Sequence, residues 1–278
     1  MSACTEVPLR RPLRRGEKPR PAPELLVSLV FRPAAERLVG PFVRLGVPPP
    51  AVVLANALAG LAAALAIATG DSLAAALLLQ LKTLLDGADG HLARATGRVT
   101  LLGRYLDTEA DLLVNAVLFG ALAWATGRPL LALSAFLAVT FLLSADFNLA
   151  ALRRELDGEE SADPPPRGGR AERALAALYL ALFGWQDRLF RRFAEARLER
   201  IAGPAPPAAR RRAALAYHDL GTLAVLANAG LATQLAVLGT CLLLGSPEAY
   251  LWLAVGSVAL LPLLQARRER LARRALAG

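Results

Sequence analysis

The stretch LLDGADGHLARATGRVTLLGRYLDTEADLL, residues 84–113, sets four aspartates, Asp86, Asp89, Asp107 and Asp111, against two of the most apolar flanks of the chain. A carboxylate at the centre of a membrane-spanning helix costs about 2.5–3.5 kcal/mol on insertion scales, and less near the interface. Whether the flanks cross a membrane therefore decides the fold. Fourteen largely apolar residues, 72–85, precede Asp86. They make about 21 Å of helix at 1.5 Å per residue, against a hydrocarbon core about 30 Å thick. Asp86 then still lies below the headgroups, and the run after Asp111 mirrors this.

Outward from this stretch the pattern repeats. Hydrophobic residues make up 55% of the 278 positions, gathered into long runs rather than an amphipathic scatter, as membrane-spanning helices require. The alternation of a barrel strand is not seen. The expected fold is an all-α polytopic membrane protein with six spans, at about 51–69, 72–93, 103–125, 130–152, 213–245 and 250–265. Residues 1–46 read as a disordered basic arm followed by an amphipathic interfacial segment from Pro23 to Gly46. Residues 47–268 form the six-helix domain, with a Pro-rich linker and an interfacial helix inserted at 153–212, and 269–278 a basic tail.

The formal net charge is +9, and lysine occurs only at positions 18 and 82. The basic residues sit at helix ends and on loops, which suits topology and anionic headgroups rather than a groove for nucleic acid. The turns at 69–72, 126–129 and 245–249 carry Arg128 alone. By the positive-inside rule both termini and the loop beside the aspartates are cytoplasmic, in a cell membrane. Cys4 and Cys241 lie in the arm and in an apolar helix, with no zinc or redox spacing. The basic N-terminus lacks the short apolar core and cleavage site of a signal peptide.

Helical geometry groups the acidic residues. At about 100° per residue Asp86 and Asp89 fall within about 60° of each other, and Lys82, Gly90 and Ala93 share that face. Gly103, Asp107 and Asp111 step by four and form one stripe on the next helix, whereas Glu109 points away. Helices joined by a short loop are antiparallel neighbours, so the two faces can meet. Four clustered carboxylates protonate or bind cations. Two divalent ions would neutralise them, and an all-oxygen set favours magnesium, calcium or manganese over zinc. Hard cations over acidic residues also suit phosphoryl displacement. A structural role, pairing with arginine or capping a helix, explains one such carboxylate better than four.

These residues resemble the signature of the CDP-alcohol phosphotransferases: Asp86, Asp89-Gly90, Ala93-Arg94, Gly103, Asp107 and Asp111, with every spacing of that pattern kept over 26 residues. The resemblance implies a six-helix membrane enzyme, usually a homodimer, with a cavity open to the cytoplasm. It implies transfer of a substituted phosphate from a CDP-linked donor, commonly CDP-diacylglycerol, to an alcohol, releasing CMP in phospholipid biosynthesis. Two ions, Mg2+ or Mn2+, would be held by Asp86, Asp89, Asp107 and Asp111. Asp111 would also act as general base, and Gly90, Ala93, Arg94 and Gly103 would bind the cytidine diphosphate. The family often opens its first span with Pro-Asn, whereas here the triple proline is followed by Ala51, and Asn56 comes later. A competing reading is a divalent-cation transporter or channel using the same carboxylates. It leaves the glycines, Ala93 and Arg94 without a purpose.

Outside the signature, Lys82 reads as an i,i+4 partner of Asp86 or as a phosphate contact. Arg153 and Arg154, with Asp146 and Asn148 behind them, read as a site for a phosphorylated acceptor or as membrane-edge anchors; Arg32 and Arg210–Arg212 are weaker cases. His91 and His218 are in no zinc-like pair. Trp185 and Trp252 suit interfacial anchoring, and Asn228 and Gln234 suit bridging between helices.

Overall fold

The computed structural model describes residues 21–99, 101–158 and 169–277. Of the segment 1–22 expected as disordered, residues 1–20 lie outside the described residues, as does most of the Pro-rich linker, whereas Ala22 is buried in a core. A π-helical turn, Val27–Phe31, leads into α1 (Arg32–Arg44). Pro48 is extended, and Pro49 starts α2 (Pro49–Thr69) at the position where a missing N–H costs nothing. Gly70 closes α2 with φ 82°, and the Asp71 side chain accepts from the Ala74 N–H to cap α3 (Ser72–Ala95). This two-residue turn returns α3 alongside α2. Then come α4 (Leu101–Thr126) and α5 (Pro129–Leu156). A second group follows: α6 (Arg170–Leu182), α7 (Gly184–Ala202) and α8 (Pro207–Tyr217). The chain ends with α9 (Leu220–Asn228), α10 (Leu231–Leu243), α11 (Pro247–Ser257) and α12 (Leu260–Ala277). Among the described residues no strand occurs.

The faces of these helices are sorted for lipid. On α2, Leu54, Leu58, Leu61 and Leu65 are exposed along one stripe, while Asn56, Gly60, Ala63, Ala64 and Ile67 are buried opposite. α5 repeats this with Leu130, Leu133, Leu137 and Phe141 outward. In a bilayer leucine gains nothing by leaving lipid, so small residues mark the helix contacts. The main core joins Leu79 of α3, Val114, Leu118 and Leu122 of α4, Leu238 of α10 and Tyr250 of α11. A second core joins Leu149 and Leu152 of α5 to Tyr217, Leu226, Leu264 and Ala272. The chain is an all-α polytopic membrane protein. Among the described residues, five stretches are long and apolar enough to cross: Pro49–Thr69, Leu106–Thr126, Pro129–Leu156, Pro207–Leu243 and Pro247–Ala277. The expected second span is α3, which Lys82, Asp86 and Asp89 make less apolar than these five.

Two expectations are revised. The stretch expected as one span at 213–245 is broken twice. Asp219, in extended conformation, caps α9 through the Thr222 N–H, and extended Gly230 starts α10. Asn228 sits at the second break. It accepts from the Leu25 N–H and donates to the Pro23 carbonyl, so the helix it bridges to from α9 is the N-terminal segment. Residues 269–277, expected as part of a tail, continue α12. They do so because Arg268 and Ala272 are buried against the α8 end and α12 packs along α7 and α8.

Candidate active site

α3 and α4 are not packed directly on each other as expected; both pack on α2, and their aspartates meet across the space between them. Their spacings of three and four residues keep Asp86 near the α3 end and Asp107 and Asp111 on one face of α4. One carboxylate oxygen from each of Asp86, Asp107 and Asp111 lies within 4.8 Å of the others. Asp89 is outside that trio. It is buried beside it, within electrostatic reach of Asp86 and Asp107, and its Oδ2 has no hydrogen-bond partner. A buried anionic oxygen left so is costly, and three convergent carboxylates repel one another. The donor set, all hard oxygen, fits one or more divalent cations such as magnesium or manganese.

One small residue of the signature, Gly90, has a visible partner. A Cβ at Gly90 would stand 3.1 Å from Arg94 Nη1, so the glycine lets the guanidinium fold back over the α3 backbone. Arg94 lies within electrostatic reach of Asp89 and of Arg32. Ala93 and Gly103 are half-buried. Gly60 of α2 also makes room: a Cβ there would run into Val114 Cγ1 and lie 3.1 Å from Lys82 Cδ.

Lys82 reaches beyond its own helix. Its Nζ stands 2.6 Å from Asp111 Oδ1, across to α4, and 3.4 Å from Asn56 Oδ1 on α2. With 0% of the residue exposed, it lies within the cluster, and Asp86 is within its electrostatic reach as well. Sequence reasoning missed Asn56 and Gly60 as parts of the site. The signal was a lone asparagine and a glycine one turn apart inside an apolar span. Glu109 is outside the carboxylate trio, yet it is buried, with Oε1 lacking a hydrogen bond.

The two arginines at the α5 end differ. Arg153 is committed: Nε meets Asp157 at 3.1 Å, and Nη1 donates to the carbonyls of His218 at 2.9 Å and Leu215 at 3.4 Å. Arg154 is half-buried and its Nε has no hydrogen-bond partner. Asn148 donates to Asp187 Oδ1 at 3.0 Å and so holds α7. Arg210 binds Glu199 and the carbonyls of Ala202 and Gly203. His218 is buried with its Nδ1 facing Arg268, whose guanidinium stacks 3.9 Å over the Tyr217 ring.

The profile of the CDP-alcohol phosphatidyltransferase family matches residues 47–203, from the start of α2 to the end of α7. The archaetidylinositol phosphate synthase of Aeropyrum pernix is 32% identical over 149 residues, which is 52% of this chain and 74% of that protein. No solved structure matches the chain.

Proposed function

Because the chain belongs to the CDP-alcohol phosphatidyltransferase family, we propose that it transfers a phosphatidyl-type group from a CDP-linked lipid, CDP-diacylglycerol first, to a phosphorylated alcohol. The observation that carries this reading is the convergence of Asp86, Asp107 and Asp111 within 4.8 Å, beside the unsatisfied buried oxygen of Asp89. Inositol phosphate is the acceptor class to try first, since the Aeropyrum relative is named for an inositol phosphate product. Arg154, half-buried with Nε lacking a hydrogen bond, supports an acceptor-phosphate contact better than its committed neighbour Arg153.

In this reading Asp86, Asp89, Asp107 and Asp111 hold two ions, Mg2+ or Mn2+. Bound there, the ions offset the charge of the pyrophosphate and of the departing CMP. Arg94, folded over Gly90, faces the donor phosphates, and Ala93 and Gly103 leave space for the nucleotide. Asp111 accepts the proton of the acceptor hydroxyl on the carboxylate oxygen that Lys82 does not hold. The acceptor oxygen then bonds to the lipid-bearing phosphorus as the bridging bond to CMP breaks. The apolar stripes of α2 and α5 keep the acyl chains of the donor in lipid while the nucleotide enters from water. The arginine-rich ends of α3, α5 and α12 support placing the site and both termini on the cytoplasmic side. A homodimer belongs to the same proposal and is read from the mass of the purified protein.

The test is CMP release by purified protein given CDP-diacylglycerol and a panel of alcohols, with the lipid product identified by mass spectrometry. Turnover should need Mg2+ or Mn2+, stop with chelator and favour phosphorylated acceptors. Full turnover in a metal-free preparation, or metal flux into liposomes without nucleotide cleavage, would overturn the reading.

A further inference from the structure

We propose that Lys82 is a built-in cation of the carboxylate cluster, a positioning residue that holds Asp111 by one oxygen and limits how tightly the site binds divalent ions. The inference rests on the proposed metal-dependent reading of that site. Lys82 is wholly buried, and a lysine with no water around it is kept only where fixed partners receive its protons. Its partners come from both neighbouring helices: Asp111 Oδ1 at 2.6 Å on α4 and Asn56 Oδ1 at 3.4 Å on α2. Gly60 clears the path of the lysine stem, since any side chain there would crowd Cδ and Val114. Three helices are thus shaped around one ammonium.

The charge arithmetic gives the role. Asp86, Asp107 and Asp111 bring three carboxylates within 4.8 Å, and Asp89 stands beside them. Unopposed, this cluster would push α3 and α4 apart whenever no ion was bound. The ammonium cancels one charge permanently, so the helices stay together while ions and nucleotide come and go. Because it occupies Oδ1 of Asp111, it leaves the other oxygen for the acceptor hydroxyl. Repulsion between the ammonium and an incoming cation also weakens ion binding.

That repulsion sets a sign that a merely structural lysine would not produce. Lys82→Gln and Lys82→Met remove the charge, and Gln keeps an N–H to donate to Asp111. Titration with Mn2+ alone, followed by the loss of the free-ion paramagnetic resonance signal, should show binding tightened by about tenfold or more in either variant that folds. In the same variants kcat for CMP release should fall by about tenfold, less for Gln than for Met, with KM for the CDP donor little changed. Melting without metal should drop by more than melting with saturating Mn2+. Unchanged or weaker Mn2+ affinity in a folded variant overturns the role of Lys82. Wild-type protein that binds Mn2+ but releases no CMP would overturn the functional reading instead, and leave the affinity comparison in force.

Discussion

Arg153 and Arg154 are adjacent in sequence but differ in their hydrogen-bond partners, and the proposed function gives them different tasks. Arg153 donates to two carbonyls at the α8–α9 junction and pairs with Asp157. Hydrogen bonds from a charged donor are worth about 1.5–3 kcal/mol each way of counting, so Arg153→Ala should lower the melting temperature with little change in KM. Arg154→Ala should leave melting nearly unchanged and raise KM for the phosphorylated acceptor by about tenfold. Steady-state kinetics and thermal melts on the two variants separate the roles, and the opposite assignment would exchange them. At Gly60 a Cβ has no room against Val114 and the Lys82 stem. Overpacking of this kind costs about 1–3 kcal/mol, so Gly60→Ala should reduce both stability and turnover. The aspartate set was legible because helical period alone fixes which side chains share a face. The Asp111 partner of Lys82 was not, because Asp86 one turn away satisfied the same local rule, and only the packing of both α3 and α4 on α2 brings Asp111 within reach.

The helices that carry the signature were readable from sequence for a simple reason. Their apolar runs are closed by strong punctuation, Pro49, Gly70 with Asp71, and Pro129. The stretch from 213 to 245 was not, because its apolar character continues across both breaks. Asp219 and Gly230, the residues that interrupt it, look like ordinary polar and small insertions. The Asp219 side chain accepts from the Thr222 N–H at 3.1 Å and from Arg267 at 2.8 Å. Losing such a cap costs about 1 kcal/mol, so Asp219→Ala should lower the melting temperature, whereas Asp219→Asn, which can still cap, should lose less. Ser246, which starts α11 without accepting a side-chain cap bond, provides the control: Ser246→Ala should melt like the wild type.

For the molecule as a whole, the proposed orientation sets the ends of α3, α5 and α12 and the starts of α4 and α8 on one side of the membrane. It sets the turns at 70–71, 127–128 and 245–246 on the other. With Cys4 and Cys241 replaced by serine, a membrane-impermeant thiol reagent applied to intact cells should label Arg128→Cys and Ser246→Cys but not Arg98→Cys. Labelling of Arg98→Cys alone would invert the proposed orientation. The clasp of Asn228 on Pro23 and Leu25 joins positions 203 residues apart. Chains grow at about 5–20 residues per second, so the ribosome works for about 10–40 s between making the two halves of this contact. Over that interval α2–α5 are made with the segment ahead of α1 held only by its contacts to α3, and a product truncated before Asn228 carries the complete aspartate signature without this second fastening.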